Sequence, residues 1–255
     1  MNIEIRSPAA CDRDALRALW HEAFGDTEEF LDLFEATAYS PARSRALFCE
    51  GALSCALYWL DSECRGEKIA YLYAIATARE RRGQGFCRRL MQDTHEHLRS
   101  LGYSAAMLVP SEPSLFGFYE RIGYRMATKI SEICCQSADE AIELVRISAQ
   151  EYARLRRKFL PEGGVVQEKE NLSYLAAQAE LYRTEGALLA VRCDGETVDG
   201  IELLGDECVA PRIVRALGKT KGRFRTVGTD RDFSMILPLD PDISIIPTYF
   251  GLAFD

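Results

Sequence analysis

The chain has 255 residues, 47% of them hydrophobic and 27% charged, a soluble-globular balance whose length suits two domains of roughly 125 residues better than one. Lysine and arginine (31) against aspartate and glutamate (39) leave a net charge of −8, which argues against a general nucleic-acid binder and suits cationic partners or plain solubility. No apolar run approaches the ~18 residues needed to cross a bilayer, so no membrane partner is expected.

The opening MNIEIRSPAACDRD has no basic stretch followed by an apolar core, so no secretory signal is read and a cytoplasmic setting is expected. "NIEIR" alternates as a strand does, and SPAACDRDALRALWHEAF places Leu16, Leu19, Trp20 and Phe24 at helical spacing. Gly25-Asp26 closes that helix, and TEEFLDLFEATA opens another behind Thr27. RALFCEGALSCALYWLDSECRGEKIAYLYAIAT reads as three antiparallel strands with turns near Glu50-Gly51 and Arg65-Gly66. A glycine-containing turn, RRGQG, then leads into a helix to about Ser100, closed by Gly102. "SAAMLVP" is a buried strand, SLFGFYERI a short helix closed by Gly123, and YRMATKISEICC one strand or two.

Near residue 138 the pattern restarts. IELVRISAQEYARLRRKFL echoes the first strand and helix, and ALLAVRCDGETVDGIELLG echoes the first hairpin. A helix-like CVAPRIVRALG, the strands GRFRTVG and FSMILPL, and a strand-like YFGLAFD complete the chain. Two similar halves are expected, residues 1–137 and 138–255, the second lacking the glycine turn.

Nine cysteines, an odd number with no CxxC, read as reduced thiols, with Cys49, Cys55, Cys87 and Cys134 inside apolar stretches and expected to be buried. His21, His95 and His97 lack metal-ligand spacing, and no metal site is expected.

The charge is not evenly spread. Residues 79–99 hold six arginines against three acids, a positive island in an acidic protein. Backbone N–H groups at a helix start have no intrahelical acceptor and carry the positive end of the dipole. Gly83 and Gly85 let that backbone approach an anion without Cβ obstruction, and Arg81 and Arg82 add charge. The dipole supplies only about 0.3–2 kcal/mol for a well-placed anion, so the guanidinium and several N–H bonds are needed as well. The turn can also be a mere helix cap. A dinucleotide fingerprint would need a third glycine where Arg88 stands, and a phosphate loop of the GKS or GKT kind is absent.

The surroundings narrow these alternatives. YLYAIATARERRGQGFCRRLMQDTHEHLRSLGY followed by AAMLVPSEPSLFGFYERIGY resembles the GCN5-related N-acetyltransferase (GNAT) superfamily, over about residues 1–135. The family's phosphate pattern, Gln/Arg-x-x-Gly-x-Gly/Ala, is matched by Arg82-Gly83-Gln84-Gly85-Phe86-Cys87 in all but the last place, where Cys87 replaces a smaller residue. The resemblance implies the acyl-CoA N-acyltransferase fold, an α+β class with a mixed, mostly antiparallel sheet flanked by helices. It implies acetyl-CoA as co-substrate, with pantetheine along Ile75, Ala76 and Thr77 and the pyrophosphate over Arg82 to Cys87. It also implies acetyl transfer to a primary amine of a small molecule or peptide by direct attack, with no acyl-enzyme at Cys87. Tyr119 would protonate the coenzyme sulfur and the Ile75 N–H would polarise the thioester carbonyl.

The base is the gap, because KIAYLYAIAT carries no carboxylate, only the polar Tyr71, Tyr73 and Thr77. Glu112 is one candidate. Asp255 is another, since the segment FYERIGY is similar to that of the enhanced-intracellular-survival type of aminoglycoside acetyltransferases, which are thought to use a C-terminal carboxylate. Glu28, Glu29 and Asp32 lie where family members bind acceptor and are expected to attract a small cationic amine. A homodimer is left open. The rival expectation is a non-catalytic acyl-CoA sensor or interaction module that keeps only the phosphate cradle.

Overall fold

The computed structural model describes residues 2–240, 242 and 245–254. In chain order they form β1 (Ile3–Arg6), α1 (Arg13–Phe24), α2 (Glu28–Thr37), β2 (Ser44–Cys49), β3 (Ala52–Cys64), β4 (Glu67–Thr77), α3 (Phe86–Ser100), β5 (Ala105–Leu108), α4 (Pro113–Glu120), β6 (Arg125–Gln136), β7 (Val145–Arg146), α5 (Ala149–Phe159), β8 (Val166–Gln167), α6 (Glu170–Gln178), β9 (Glu180–Thr184), β10 (Ala187–Asp194), β11 (Thr197–Gly205), α7 (Ala210–Ala216), β12 (Lys221–Val227) and β13 (Arg231–Pro238).

Local chemistry sets most boundaries. Gly25 ends α1 in the left-handed region (φ 75°), and the Thr27 side chain caps α2 by accepting from the Phe30 N–H. The β2–β3 and β3–β4 hairpins turn on Glu50-Gly51 and Arg65-Gly66, all four residues with φ between 51° and 85°, the two-residue turn that matches strand twist. YRMATKISEICC folds as one strand, β6.

The strands form one sheet in the order β1-β2-β3-β4-β5-β13-β6-β12-β11-β10-β9-β7, with β8 added beside β3. Only the β4–β5 and β11–β12 pairs are parallel along that path; the other neighbours run antiparallel. The last strand therefore lies mid-sheet. β13 pairs with β5 (Met235↔Leu108) and with β6 (Ile236↔Arg125), so the ladder crosses residue 137 from both sides.

Both faces of the sheet are covered, which explains why ALSCALYWL reads as an unbroken apolar run rather than an alternation. Ala56, Tyr58 and Leu60 of β3 pack into the core that contains Leu16, Trp20 and Phe34, while Cys55, Leu57 and Trp59 pack against Leu90 and Met91 of α3. A third cluster lies under α7.

Two expectations differ. Residues 249–254 form no strand beyond a single Gly164–Tyr249 bridge, although Tyr249, Phe250 and Leu252 are fully buried. Side chains replace a ladder there: Gln167 donates to the Leu252 carbonyl (2.6 Å) and accepts from its N–H (3.2 Å), and Arg225 donates to the Gly251 carbonyl. Cys134 is exposed, because β6 alternates and its neighbours Ile133 and Cys135 take the α7 side. Cys49 and Cys55 are buried and Cys87 is half-buried; all nine thiols are free. Among the described residues no helix is long and apolar enough to cross a membrane.

Candidate active site

The site begins with a fault in β4. The parallel ladder to β5 ends at Tyr71↔Met107, and on the other side Tyr73 pairs Tyr58 while Ala76 pairs Ala56, leaving Ala74 and Ile75 opposite Leu57 alone. Ala74 absorbs this bulge at φ 47°, a conformation costly for a residue with a Cβ. Beyond Tyr71 the two strands part, and Ile75, Ala76 and Thr77 line the opening.

That opening continues into a cleft of about 770 Å³. Its far end is the glycine turn. Gly83 (φ 74°) and Gly85 (φ 80°) are both left-handed, and an added Cβ at either would meet no atom within 4 Å, so backbone conformation rather than crowding calls for glycine in this structure. Gly85 is the N-cap of α3 and offers no side-chain acceptor, so the first helical N–H groups depend on water or a ligand. The Arg82 Nε donates to the Thr77 carbonyl (3.2 Å), which tethers the guanidinium beside the turn.

Arg82, Gly83, Gly85, Phe86 and Cys87 line the cleft; Gln84 does not, its amide donating to the Glu80 carbonyl at 2.9 Å. The Phe86 side chain is buried in the core beneath, so its backbone is what it presents. The Cys87 thiol is held below its ordinary range by a hydrogen bond from Cys55, against the opposing effect of burial, while Cys55 is pushed up. Cys55 Sγ also lies 3.2 Å from Thr77 Oγ1.

A second chamber, about 510 Å³, adjoins the cleft. Phe24, Ile75, Ser111, Leu115 and Tyr119 line both spaces, so Tyr119 and Ile75 stand at the junction. Tyr119 is 8% exposed, and burial, with smaller contributions from Cys87 and Cys55, raises its phenol above the usual value, which keeps it protonated at neutral pH. Glu112 is the exposed N-cap of α4, accepts from the Ser114 hydroxyl at 3.2 Å, and borders the cleft rather than the chamber.

The acids expected to receive an amine sit elsewhere. Glu28 pairs with Arg17 and His21, Asp32 pairs with Arg17 (3.0 Å), and Glu29 is exposed; none of the three lines the cleft or the chamber. The rotation of α2 explains this. Leu31 and Phe34 turn inward, which aims Glu28 and Asp32 at the arginines of α1. The Arg17 guanidinium, then His21, holds the Glu28 carboxyl below its usual range.

Among the described residues the chamber's acid is Asp26, in the α1–α2 turn, its Oδ2 accepting from the Trp20 indole N–H at 2.7 Å. It stands in the Gly25-Asp26 turn, two positions before Glu28, the first of the acids expected from the sequence. Gln178, Arg192 and Phe254 complete the wall, and nothing local in the sequence marks them. Asp255 lies outside the described residues.

A family model for the acetyltransferase (GNAT) domain matches residues 4–127. No curated protein matches the chain significantly. Among solved structures, a GCN5-related N-acetyltransferase from Kribbella flavida aligns over 94% of this chain and 72% of its own at 15% identity, TM-score 0.70. One from Anabaena variabilis aligns over 94% and 73% at 13% identity, TM-score 0.72. A putative acetyltransferase from Pyrococcus horikoshii aligns over 98% and 94% at 12% identity, TM-score 0.66. At such identities these likenesses speak for the fold. Residues 4–127, which hold the glycine turn at the head of α3 and the split between β4 and β5, match the acetyltransferase (GNAT) domain.

Proposed function

We propose that this protein transfers the acetyl group of acetyl-CoA to a primary amine by direct attack. The observation that carries the reading is the shared wall: a cleft ending in a phosphate-type turn opens, at Ile75 and Tyr119, into a separate chamber that holds a carboxylate. The pyrophosphate lies on the Phe86 and Cys87 amides beside Arg82, and pantetheine follows the backbone of Ile75 to Thr77. The Ile75 N–H polarises the thioester carbonyl. The amine nitrogen forms the new C–N bond as the C–S bond breaks, Tyr119 protonates the departing sulfur, and the amine gives up its proton. Asp26 is the carboxylate on the acceptor side and receives that proton; Glu112, on the coenzyme side, is the less favoured receiver.

We further read residues 138–255 as a degenerate copy of residues 1–137. Support comes from the pattern of crossovers: β11 and β12 are parallel and joined through α7, as β4 and β5 are through α3, but GDECVA replaces the glycine turn. In this reading the second half walls the acceptor site, supplying Gln178, Arg192 and Phe254.

Calorimetry with acetyl-CoA, followed by a thiol-release assay against a panel of primary amines, tests the function. Binding with thiol release is expected. Binding without release on any amine would support the sensor reading, and absence of binding would remove both.

A further inference from the structure

A cation stands in the acceptor chamber with no ion-pair partner among the described residues. Arg192 lies on β10 on the same face as Leu188 and Ala190, the face that packs into the core with Trp20, Tyr174 and Phe254. Its Nη2 donates to Gln178 Oε1 at 3.0 Å, and its Nε is buried with no hydrogen-bond partner. Among the described residues no carboxylate is paired with it; Asp199, its neighbour across the β10–β11 ladder, is engaged by Arg223 at 3.1 Å. Gln178 orients the guanidinium but cannot neutralise it. A half-buried guanidinium with an orphaned N–H costs free energy that an anionic ligand would recover.

The opposite charge is nearby but separate. Asp26 lines the same chamber and forms no ion pair with Arg192. Tyr73 and Tyr174 share a hydroxyl–hydroxyl hydrogen bond of 3.1 Å, and both charges reach that pair: burial chiefly raises the two phenols, Asp26 raises them further and Arg192 opposes it. Much of the remaining wall is aromatic, from Trp20, Phe24, Phe30 and Phe254.

We propose that the acceptor is a free amino acid with an aromatic or branched apolar side chain, its carboxylate held by Arg192 and its ammonium by Asp26 before deprotonation. This rests on the acetyltransferase reading and narrows its substrate class. Guanidinium and carboxylate have matching planar, two-pronged hydrogen-bond geometry, and Arg192 has free N–H groups to offer. A purely cationic amine would meet Asp26 but also be repelled by Arg192, whereas a zwitterion satisfies both ends and leaves its apolar body to the rings.

The test compares L-phenylalanine and L-leucine with their decarboxylated counterparts, phenethylamine and isopentylamine, in the thiol-release assay. The wild type should show kcat/KM ten- to a hundredfold higher for the amino acids, the range expected when one charge-assisted hydrogen-bond set is present or missing. Arg192→Gln should collapse that ratio towards one, mainly by raising KM for the amino acids. A wild type that acetylates phenethylamine as well as phenylalanine overturns the proposal, as does an Arg192→Gln variant that loses activity on both in equal measure. Calorimetric titration of phenylalanine and leucine into the protein alone and into the CoA-loaded protein gives a second reading that needs no turnover, and absence of heat from both amino acids in both titrations also overturns it. Failure of the acetyltransferase reading looks different: acetyl-CoA fails to bind, or no amine releases thiol, while the amino-acid titration still reports on the chamber.

Discussion

His95 Nε2 and the Tyr124 hydroxyl lie 2.8 Å apart in the core, fastening the helix that carries the glycine turn to the segment that carries Tyr119. The backbone closes the same knot, with the Tyr124 N–H donating to the Tyr119 carbonyl at 3.1 Å. A buried polar contact thus links the phosphate end to the proton donor of the proposed reaction.

Burial, with a smaller push from Arg99, lowers the His95 imidazole from its ordinary 6.5 to about 4. The folded protein binds this proton less readily than the unfolded chain, so the stability is present above pH 6.5 and drains away between about 6.5 and 4. At about 1.4 kcal/mol per pH unit of separation, the loss is on the order of 3 kcal/mol. Urea unfolding at pH 7 and pH 4.5 should show it, and His95→Gln should flatten the dependence. An identical pH slope in wild type and variant would show that His95 is not its source.

Tyr119→Phe removes the proposed proton donor and leaves the ring packing against Phe118 and Tyr124. Steady-state turnover should fall by about 10²-fold or more, while the acetyl-CoA Kd is retained. Full turnover in the variant would refute the donor role.

Arg82→Glu reverses charge beside the turn. Acetyl-CoA affinity should fall more than tenfold while free pantetheine, lacking the diphosphate, is little affected. The difference should shrink at high salt, since Arg82 is exposed. Equal losses for both ligands would mean that Arg82 does not act on phosphate.

The second half has its own buried ion pair. Arg156 Nε and Nη2 donate to the two Glu202 oxygens at 2.7 and 2.9 Å, Nη1 donates to the Val165 carbonyl, and the Tyr152 hydroxyl donates to Glu202 at 2.8 Å. Arg156 is 2% exposed and Glu202 not at all. Glu202→Leu should cost about 3–5 kcal/mol in denaturant unfolding by stranding the guanidinium. The double variant Arg156→Met, Glu202→Leu should lose less than the sum of the two single changes. Strict additivity would deny the coupling.

The hairpin turns at Glu50-Gly51 and Arg65-Gly66, the caps at Gly25 and Thr27, and the glycine turn before α3 were legible because each is a choice of a few neighbouring dihedrals and hydrogen bonds. The resemblance to the superfamily rested on the same kind of local signal, and it pointed to Ile75 and Tyr119, which the fold brings to one junction. Glu28 and Asp32 show the limit. Their composition and position suited an amine, but which way α2 turns is decided by Leu31 and Phe34 reaching the core, and that leaves the acids to Arg17 and His21.

The sequence by itself determined the elements of residues 1–137 and the anion-ready helix start, since these follow from periodicity, glycine placement and charge within a few residues, and its resemblance to the superfamily implied the class of fold. Only the tertiary structure decided that β13 enters between β5 and β6, that residues 249–254 thread the core without a ladder, and that Gln178, Arg192 and Phe254 face Asp26 across one chamber. Those outcomes depend on which apolar faces bury against each other over separations of more than a hundred residues, and no local preference records that.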